Sequence, residues 1–338
     1  MKNLQKTFLR DILIVVVSTL IILLGFALFA PPVPNTNQPP KEVFIKKGMD
    51  VGKIAHSLDE KGLIGSEKFF IFFAKVFSWE KELKAGRYRI RPGVSLWGIL
   101  QTLRRGGSIT ENVTIPEGLT LKEIAGLLKK KVEIDSTTFV TLTTDKNFCE
   151  KMGVNAPTLE GYLFPNTYNL YWGMKEEEIA KLMVDELFMI ITPDLRARAK
   201  EIGLSLHQAL TLASLIEKET GVAQERPLIS AVFHRRLKMG MPLQCDPTVV
   251  YILSPLNRPL TKSDLKVKSP YNTYLHPGPP PGPICNPGLA SIKAALWPAQ
   301  IDYLYFVAQG DGSHIFSRTN REHINARRRV RYLQGKEF

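Results

Sequence analysis

The sequence predicts an α+β protein held to a membrane by one N-terminal apolar helix. Three observations lead there. An apolar run opens the chain, a strand–glycine–helix pattern then recurs three times, and helices alternate irregularly with short strands in the remainder.

At 338 residues and 44% hydrophobic composition the chain can bury a sizeable core, and its length suggests about two domains. Ile12 to Ala30 is apolar except for Ser18, Thr19 and Gly25. That is close to the roughly 20 residues a spanning helix needs. Lys2, Lys6 and Arg10 precede it, so the positive-inside rule keeps residues 1–11 cytoplasmic. Leu28 and Phe29 spoil a small-x-small cleavage site, and Pro31-Pro32 follow at once. Residues 12–30 therefore read as an uncleaved, single-pass anchor in the cytoplasmic (inner) membrane, with everything downstream in the periplasm or outside the cell. Pro31 to Pro40, rich in Pro and Asn, reads as an extended tether within a linker over 31–41.

The repeat follows. Val43-Phe-Ile-Lys-Lys-Gly48 precedes Val51, Ile54 and Leu58. Tyr88-Arg-Ile-Arg-Pro-Gly93 precedes Leu96, Ile99 and Leu103. Val113-Thr-Ile-Pro-Glu-Gly118 precedes Leu121, Ile124 and Leu128. The glycine-to-apolar offsets are identical, so each copy predicts a short strand, a glycine turn and an amphipathic helix. Between the first two copies, Ser66 to Phe77 carries five phenylalanines and predicts a buried helix.

The second half predicts helices over Glu176 to Ile190, Pro193 to Ile202 (Thr192 as cap, Pro193 in the first turn), Ser205 to Thr220, and Pro227 to Met239, stopped by Gly240. Pro242 to Pro298 reads as a long ordered loop rich in Pro, Gly, Asn and Tyr. Tyr303 to Ala308 predicts a buried strand, Gly310-Asp-Gly312 a turn into His314-Ile-Phe316, and Glu322 to Tyr332 a basic, solvated helix.

A formal net charge of +13 raises nucleic acid as a partner. The charge is scattered, however, and no nucleic-acid motif accompanies it. A basic surface equally suits an acidic polymer or an anionic membrane face. Three cysteines, Cys149, Cys245 and Cys285, make neither a disulfide framework nor a zinc pattern. No metal or other cofactor is expected.

The chemistry centres on Leu212-Ala-Ser-Leu-Ile-Glu-Lys-Glu-Thr220. Ser205 and Gln208 are spaced as a capping box, and Leu210, Ala213, Ser214 and Glu217 share one helical face. Gly221 is a stop signal. A carboxylate in the last turn feels the negative end of the helix dipole, and apolar neighbours disfavour its charged form. Both effects suit a general acid; the plainer reading of Glu217 is a solvated residue at a helix end. Glu219, on another side of the helix, reads as structural or solvated.

Leu159-Glu-Gly-Tyr-Leu-Phe-Pro-Asn-Thr-Tyr168, Ala213 to Thr220, Leu243-Gln-Cys-Asp-Pro-Thr-Val249, Tyr271-Asn-Thr-Tyr274, Pro280-Pro-Gly-Pro-Ile-Cys-Asn-Pro-Gly288, Tyr303 to Ala308 and His314-Ile-Phe-Ser-Arg-Thr with Glu322-His323 form an ordered set. In that order they resemble the MltG (YceG-like) family of endolytic murein transglycosylases over nearly the whole chain. The strand–turn–helix units also resemble LysM-like carbohydrate-binding modules. The resemblance implies an anchor, a LysM-like domain over 42–110 and a YceG-like mixed α/β catalytic domain over 111–338. It implies a lyase that cuts peptidoglycan glycan strands internally between N-acetylmuramic acid and N-acetylglucosamine and leaves a 1,6-anhydro end. It places the catalytic glutamate at Glu217 and implies work beside peptidoglycan synthases (penicillin-binding proteins).

Other polar residues carry two readings each. Tyr271, Asn272 and Tyr274 are equipment for a sugar cleft or a packed loop. Asp246, with Gln244 beside it, opens a turn or binds sugar. Asn286 is a turn former or a ligand, Glu160 and Asn166 line the cleft or brace it, and His314 is structural or functional. Asn166 stands where the family commonly has aspartate, and Pro279 where leucine is usual. A bridge between Cys245 and Cys285 would tie two cleft loops together. Two rivals stand beside the lyase: a non-catalytic wall-binding scaffold, and a hydrolase with a second carboxylate, for which Asp246 is the candidate.

Overall fold

The computed structural model describes residues 2–31, 38–46, 48–106 and 109–333, and side chains from residue 10 onward. Most of the expected tether lies outside the described residues. The chain is mixed α+β and divides into two compact units. One comprises Met1–Asn112, Lys131–Ile134 and Asn169–Lys175; the other comprises Val113–Lys130, Asp135–Tyr168 and Glu176–Phe338.

The first unit opens with α1 (Lys2–Phe29), whose segment Arg10–Phe29 is long and apolar enough to cross a membrane. Then come β1 (Lys41–Ile45), α2 (Val51–Glu60), α3 (Glu67–Val76), β2 (Gly86–Ile90) and α4 (Leu96–Arg105). Asp50, Ser66 and Ser95 cap the three short helices by accepting from backbone N–H groups one turn on. β1 and β2 pair antiparallel with Val43 opposite Tyr88. Their inner faces join Ile54, Leu58, Phe70, Ile99 and Leu103 in a core that solvent does not reach. Each such side chain contributes about 1.5–3 kcal/mol by leaving water. The Tyr88 hydroxyl is satisfied inside this core by donating to the Lys84 carbonyl at 2.6 Å. The last turn of α1 packs here too: Leu28 is buried, and the Phe29 ring lies 5.7 Å from that of Trp97. α3 is buried on one side only. Phe70 and Phe73 are inside, whereas Phe69 and Phe72 face out.

β3 (Thr110–Thr114) pairs with β4 (Thr167–Tyr171), and α5 (Leu121–Val132) follows β3. All three repeat copies thus fold as strand, turn and helix. Their turn glycines Gly48, Gly93 and Gly118 have φ of 79°, 93° and 78°, a region side-chain-bearing residues resist. The remaining helices are α6 (Ser136–Thr143), α7 (Lys146–Lys151), α8 (Glu176–Ile190), α9 (Pro193–Glu201), α10 (Leu206–Glu219), α11 (Arg226–Lys238), α12 (Asp246–Leu253), α13 (Leu289–Leu296) and α14 (Asn320–Leu333). β5 (Tyr305–Ala308) and β6 (His314–Ser317) form an antiparallel hairpin, half-buried where the sequence predicts a buried strand.

α10 organises the second unit. Ser205 and Gln208 close its capping box reciprocally. Ala209 to Ile216 are buried without a break, so this helix is apolar all round rather than on one face. It packs on α9, α11, α12 and α13. It ends because Thr220 turns to extended backbone, not through a left-handed Gly221.

The stretch from Pro242 to Pro298 is not one loop, because α12 and α13 interrupt it. Pro247 sits in the first turn of α12, where a missing N–H is harmless. α13 is only eight residues long, with Ala290 and Lys293 exposed and Ser291, Ile292 and Ala294 to Leu296 buried, too short a segment for its period to stand out.

The turn of the third repeat is locked to the loop before α13. The Gly118 N–H donates to the Asn286 carbonyl at 2.9 Å, and the Asn286 N–H returns a bond to the Leu119 carbonyl at 2.9 Å. The fully buried Asn286 amide adds three more bonds. Its Nδ2 donates to the Leu119 carbonyl and to Glu160 Oε1, and its Oδ1 accepts from the Leu163 N–H at 2.9 Å. Glu160 also accepts from the Leu121 N–H at 3.0 Å. Burial nevertheless pushes its carboxyl up to about 8.

Two outcomes follow. In the unfolded chain Glu160 titrates near the ordinary value of about 4.3. A carboxyl raised on folding stabilises fully below that value and loses its contribution as pH rises through the folded one. Thermal midpoints should therefore fall from about pH 5 to pH 8, and Glu160→Gln should flatten that decline. Asn286→Leu leaves the Leu163 N–H unpaired and should cost about 1–3 kcal/mol, read from denaturant unfolding.

Candidate active site

Glu217 occupies the last turn of α10, and its side chain is only 7% exposed. Its Oε2 accepts from the Gly288 N–H at 3.0 Å, the N-cap amide of α13. Its Oε1 lies 3.7 Å from Arg226 Nη2, at the start of α11. Arg226 is itself held by a bond from Nε to the Ser291 hydroxyl at 3.2 Å. Lys218 turns the other way and donates to the Gly118 carbonyl at 3.2 Å. Three helix ends and the third repeat turn thus converge on one carboxyl.

A second carboxyl stands beside it. Glu117, the residue before Gly118, leans over Gly288 so closely that a Cβ there would fall 1.9 Å from Glu117 Oε1. Burial pushes the Glu117 carboxyl above its usual range, and the charge of Glu217 adds to this while Arg226 opposes it. Sequence reasoning did not single out Glu117. One signal was there: at this place in the repeat the other copies carry Lys47 and Pro92. Arg226 and Gly288 were missed because only tertiary structure brings them to Glu217.

Beyond Asn286, whose amide is bonded to Glu160, lies a cavity of about 330 Å³ that Glu217 does not itself line. Glu160, Tyr251 and Tyr271 line it together with Thr120, Ser254 and Ser269. The Tyr251 and Tyr271 rings are 5.3 Å apart, offering apolar faces beside hydroxyls. Gly282 lies against both the Tyr271 hydroxyl and the ring of His207. The His207 Nε2 donates to the Pro281 carbonyl at 2.9 Å, which leaves Nδ1 to accept from the Tyr162 hydroxyl at 2.9 Å. The acceptor-only carbonyl sets that tautomer.

The other expected residues divide by position. Asn272 is fully buried. Its Nδ2 donates to the Leu265 and Val267 carbonyls, and its Oδ1 accepts from the Tyr274 N–H, so it braces its own loop. Asn286 braces in the same way, as described above. Asn166 is exposed and turned toward α8, donating to Glu186 at 2.7 Å. Gln244 is exposed with a left-handed φ of 52°. Asp246 accepts from the Tyr274 hydroxyl. Asp246 stands with Glu219 rather than with Glu217. Glu219 is not solvated: burial pushes it up to about 7, with Cys245 and Arg236 as its neighbours. His314 is structural; its Nδ1 pairs with Glu225 at 2.7 Å and its N–H donates to the same carboxylate.

Cys245 and Cys285 are free, buried thiols. The bridge considered from sequence is not formed, because the Cys285 thiol points at the Ser214 carbonyl and Cys245 lies against Glu219. Burial pushes both thiols up.

Comparison with known proteins follows the same geometry. The YceG-like family model matches residues 43–329. The endolytic murein transglycosylase of Bacillus subtilis is 33% identical over 321 residues, covering 90% of this chain and 88% of that protein. The endolytic murein transglycosylase of Streptococcus pneumoniae is 30% identical over 325 residues, 86% of this chain, which spans 58% of that longer protein. The crystal structure of a yceG-like protein from Listeria monocytogenes superposes with a TM-score of 0.60 at 33% identity, over 86% of this chain and 99% of that one. A model match over most of the chain and a relative covered almost end to end agree: this chain belongs to the YceG-like family.

Proposed function

We propose that this protein is a membrane-anchored endolytic murein transglycosylase with Glu217 as its acid–base residue. The observation that carries the reading is the withdrawn Glu217 carboxyl, fixed by the Gly288 amide, with a tyrosine-lined cavity on the far side of Asn286 and Glu160. In this reading Glu217, in its acid form, donates its proton to the glycosidic oxygen. The C1–O bond breaks, the sugar's own 6-hydroxyl closes on C1, and the Glu217 carboxylate takes up the hydroxyl proton. One side chain acts as acid and then as base, and the product is a 1,6-anhydro end.

Glu160, Tyr271, the exposed Gln244 and Asp246, and the half-buried Tyr274 are the residues we assign to glycan contact. Asn272, Asn286 and Asn166 act by holding the loops that carry them. Residues 42–110 would serve as a LysM-like glycan-binding domain and 111–338 as the catalytic domain. The basic residues before Ile12 support an N-terminus inside and catalysis on the outer side of the membrane, beside peptidoglycan synthases.

One observation favours a second reading. Glu117 supplies a second carboxyl at Glu217, a role that Asp246, engaged by Tyr274, is not positioned to fill. Were Glu117 to activate water, the enzyme would be a hydrolase.

Digestion of uncrosslinked glycan by the full chain, followed by mass spectrometry, separates the two. Anhydro-ended products lighter by one water are expected; ordinary reducing ends would overturn the lyase assignment. Glu217→Gln should keep the thermal midpoint and polymer binding while lowering turnover by at least about 100-fold. Turnover near the wild-type rate would remove Glu217 from the mechanism.

A further inference from the structure

We propose that the outward face of α3 is a lipid-contact surface: Phe69, Phe72 and Val76 lie in the interfacial layer of the bilayer that α1 crosses. The first unit then meets the membrane at two places rather than one. The inference rests on the reading of α1 as a membrane span and is independent of the chemistry assigned to Glu217.

The sequence of α3 builds this face. Phe69, Phe72, Phe73 and Val76 follow one another at i, i+3, i+4 and i+7. Phe73 turns inward and joins Phe70 in the core. The other three stay outside, 43%, 44% and 58% exposed, within about 60° of the helix circumference. Apolar residues scattered singly over a surface need no explanation, but a contiguous stripe marks an interaction site. Lys68 and Lys75 are exposed along one edge of the stripe, where long stems let an ammonium reach a headgroup layer. The opposite side of α3 is polar. Glu67 pairs there with His56 at 2.9 Å, and His56 approaches Glu60 at 3.4 Å.

The neighbour of the stripe decides what covers it. α1 packs against α3 and α4. An apolar cleft of about 280 Å³ lies where they meet, lined by Phe26, Ala27 and Ala30 from the end of the span and by Ile64, Phe69 and Leu96. Phe69 is therefore level with the last turn of α1. The apolar segment Arg10–Phe29 has 20 residues. A helix of that length is about 30 Å long, the thickness of the hydrocarbon core. When the segment fills the core, its last turn reaches the edge of the hydrocarbon, and Phe69 stands there with it. Aromatic rings continue the contact: Trp97 lies 5.7 Å from Phe29, 5.4 Å from Phe77 and 5.2 Å from Trp79. Tryptophan beside the end of a span is the usual composition of a membrane–water boundary. Continuity with the span, the lysine edge and the polar far side together select lipid rather than a soluble partner.

The full chain, reconstituted in phosphatidylcholine–phosphatidylglycerol vesicles at high lipid excess, tests this by nitroxide accessibility. Cys149, Cys245 and Cys285 are buried, so the reagent labels thiols introduced at exposed positions of the folded protein. Labels at Phe72→Cys and Val76→Cys should collide with a water-soluble nickel chelate at least about fivefold less often than a label at Glu60→Cys, and with oxygen more often, as befits a position about 5–10 Å into the headgroup–acyl boundary. Equal nickel access at the three positions would overturn the proposal. Low access to both nickel and oxygen would overturn it too, because protein would then cover the face; spin–spin broadening would identify that protein as a second copy. Joint substitution Phe69→Ser and Phe72→Ser, read from the label at Val76→Cys, should raise nickel access at least about threefold at an unchanged thermal midpoint. Unmoved access would mean that the stripe does not hold the contact. A label at Leu20→Cys keeps the two readings apart. A dry Leu20 with a wet Phe72 sinks the α3 surface alone, whereas a wet Leu20 sinks the span and the surface together.

Discussion

Everything in the candidate site depends on the mutual hydrogen bonding of Gly118, Leu119 and Asn286. Two backbone bonds and one buried amide join a turn from the first part of the second unit to a loop more than 160 residues later. Long-range joins of this kind carry a loop-closure cost, and a buried, fully satisfied amide is one of the few local features able to offset it. The same join decides where Glu117 and Glu160 can be. Glu117 immediately precedes it, and Glu160 is bonded to its amide, so neither carboxyl has an independent position.

Charge at the site follows from that arrangement. Glu160, Glu217 and Glu219 are all withdrawn from solvent, yet their surroundings differ. Glu160 meets only donors from the backbone and from neutral side chains. Glu217 meets a guanidinium and an amide. Glu219 lies with a thiol and a buried arginine. Burial raises the Glu160 and Glu219 carboxyls, and each is held by a different set of partners.

The parts of this structure legible in the sequence were those set by local rules. The glycine turns of the three repeats, the Ser205–Gln208 capping box, the Thr192 cap with Pro193, and the spacing that placed Glu217 in a last helical turn were all readable. What escaped was set by contacts between distant segments. α13 is too short, at eight residues, for its period to stand out. α10 is buried on every side, although its spacing also admits a one-sided reading. Asn272 and Asn286 look like ligands in a string of sugar-cleft residues, yet each has spent its amide on backbone groups. Glu117 stood unremarked in a repeat whose other copies carry Lys47 and Pro92 at its place.

The joint between α1 and the first unit has a mechanical consequence. Leu28 is buried there and Phe29 rests against Trp97, so the last turn of α1 ends in a packed seat. The end of α1 is thereby coupled to the core of the first unit, so a substitution that loosens Trp97 would also loosen the seat of the apolar helix.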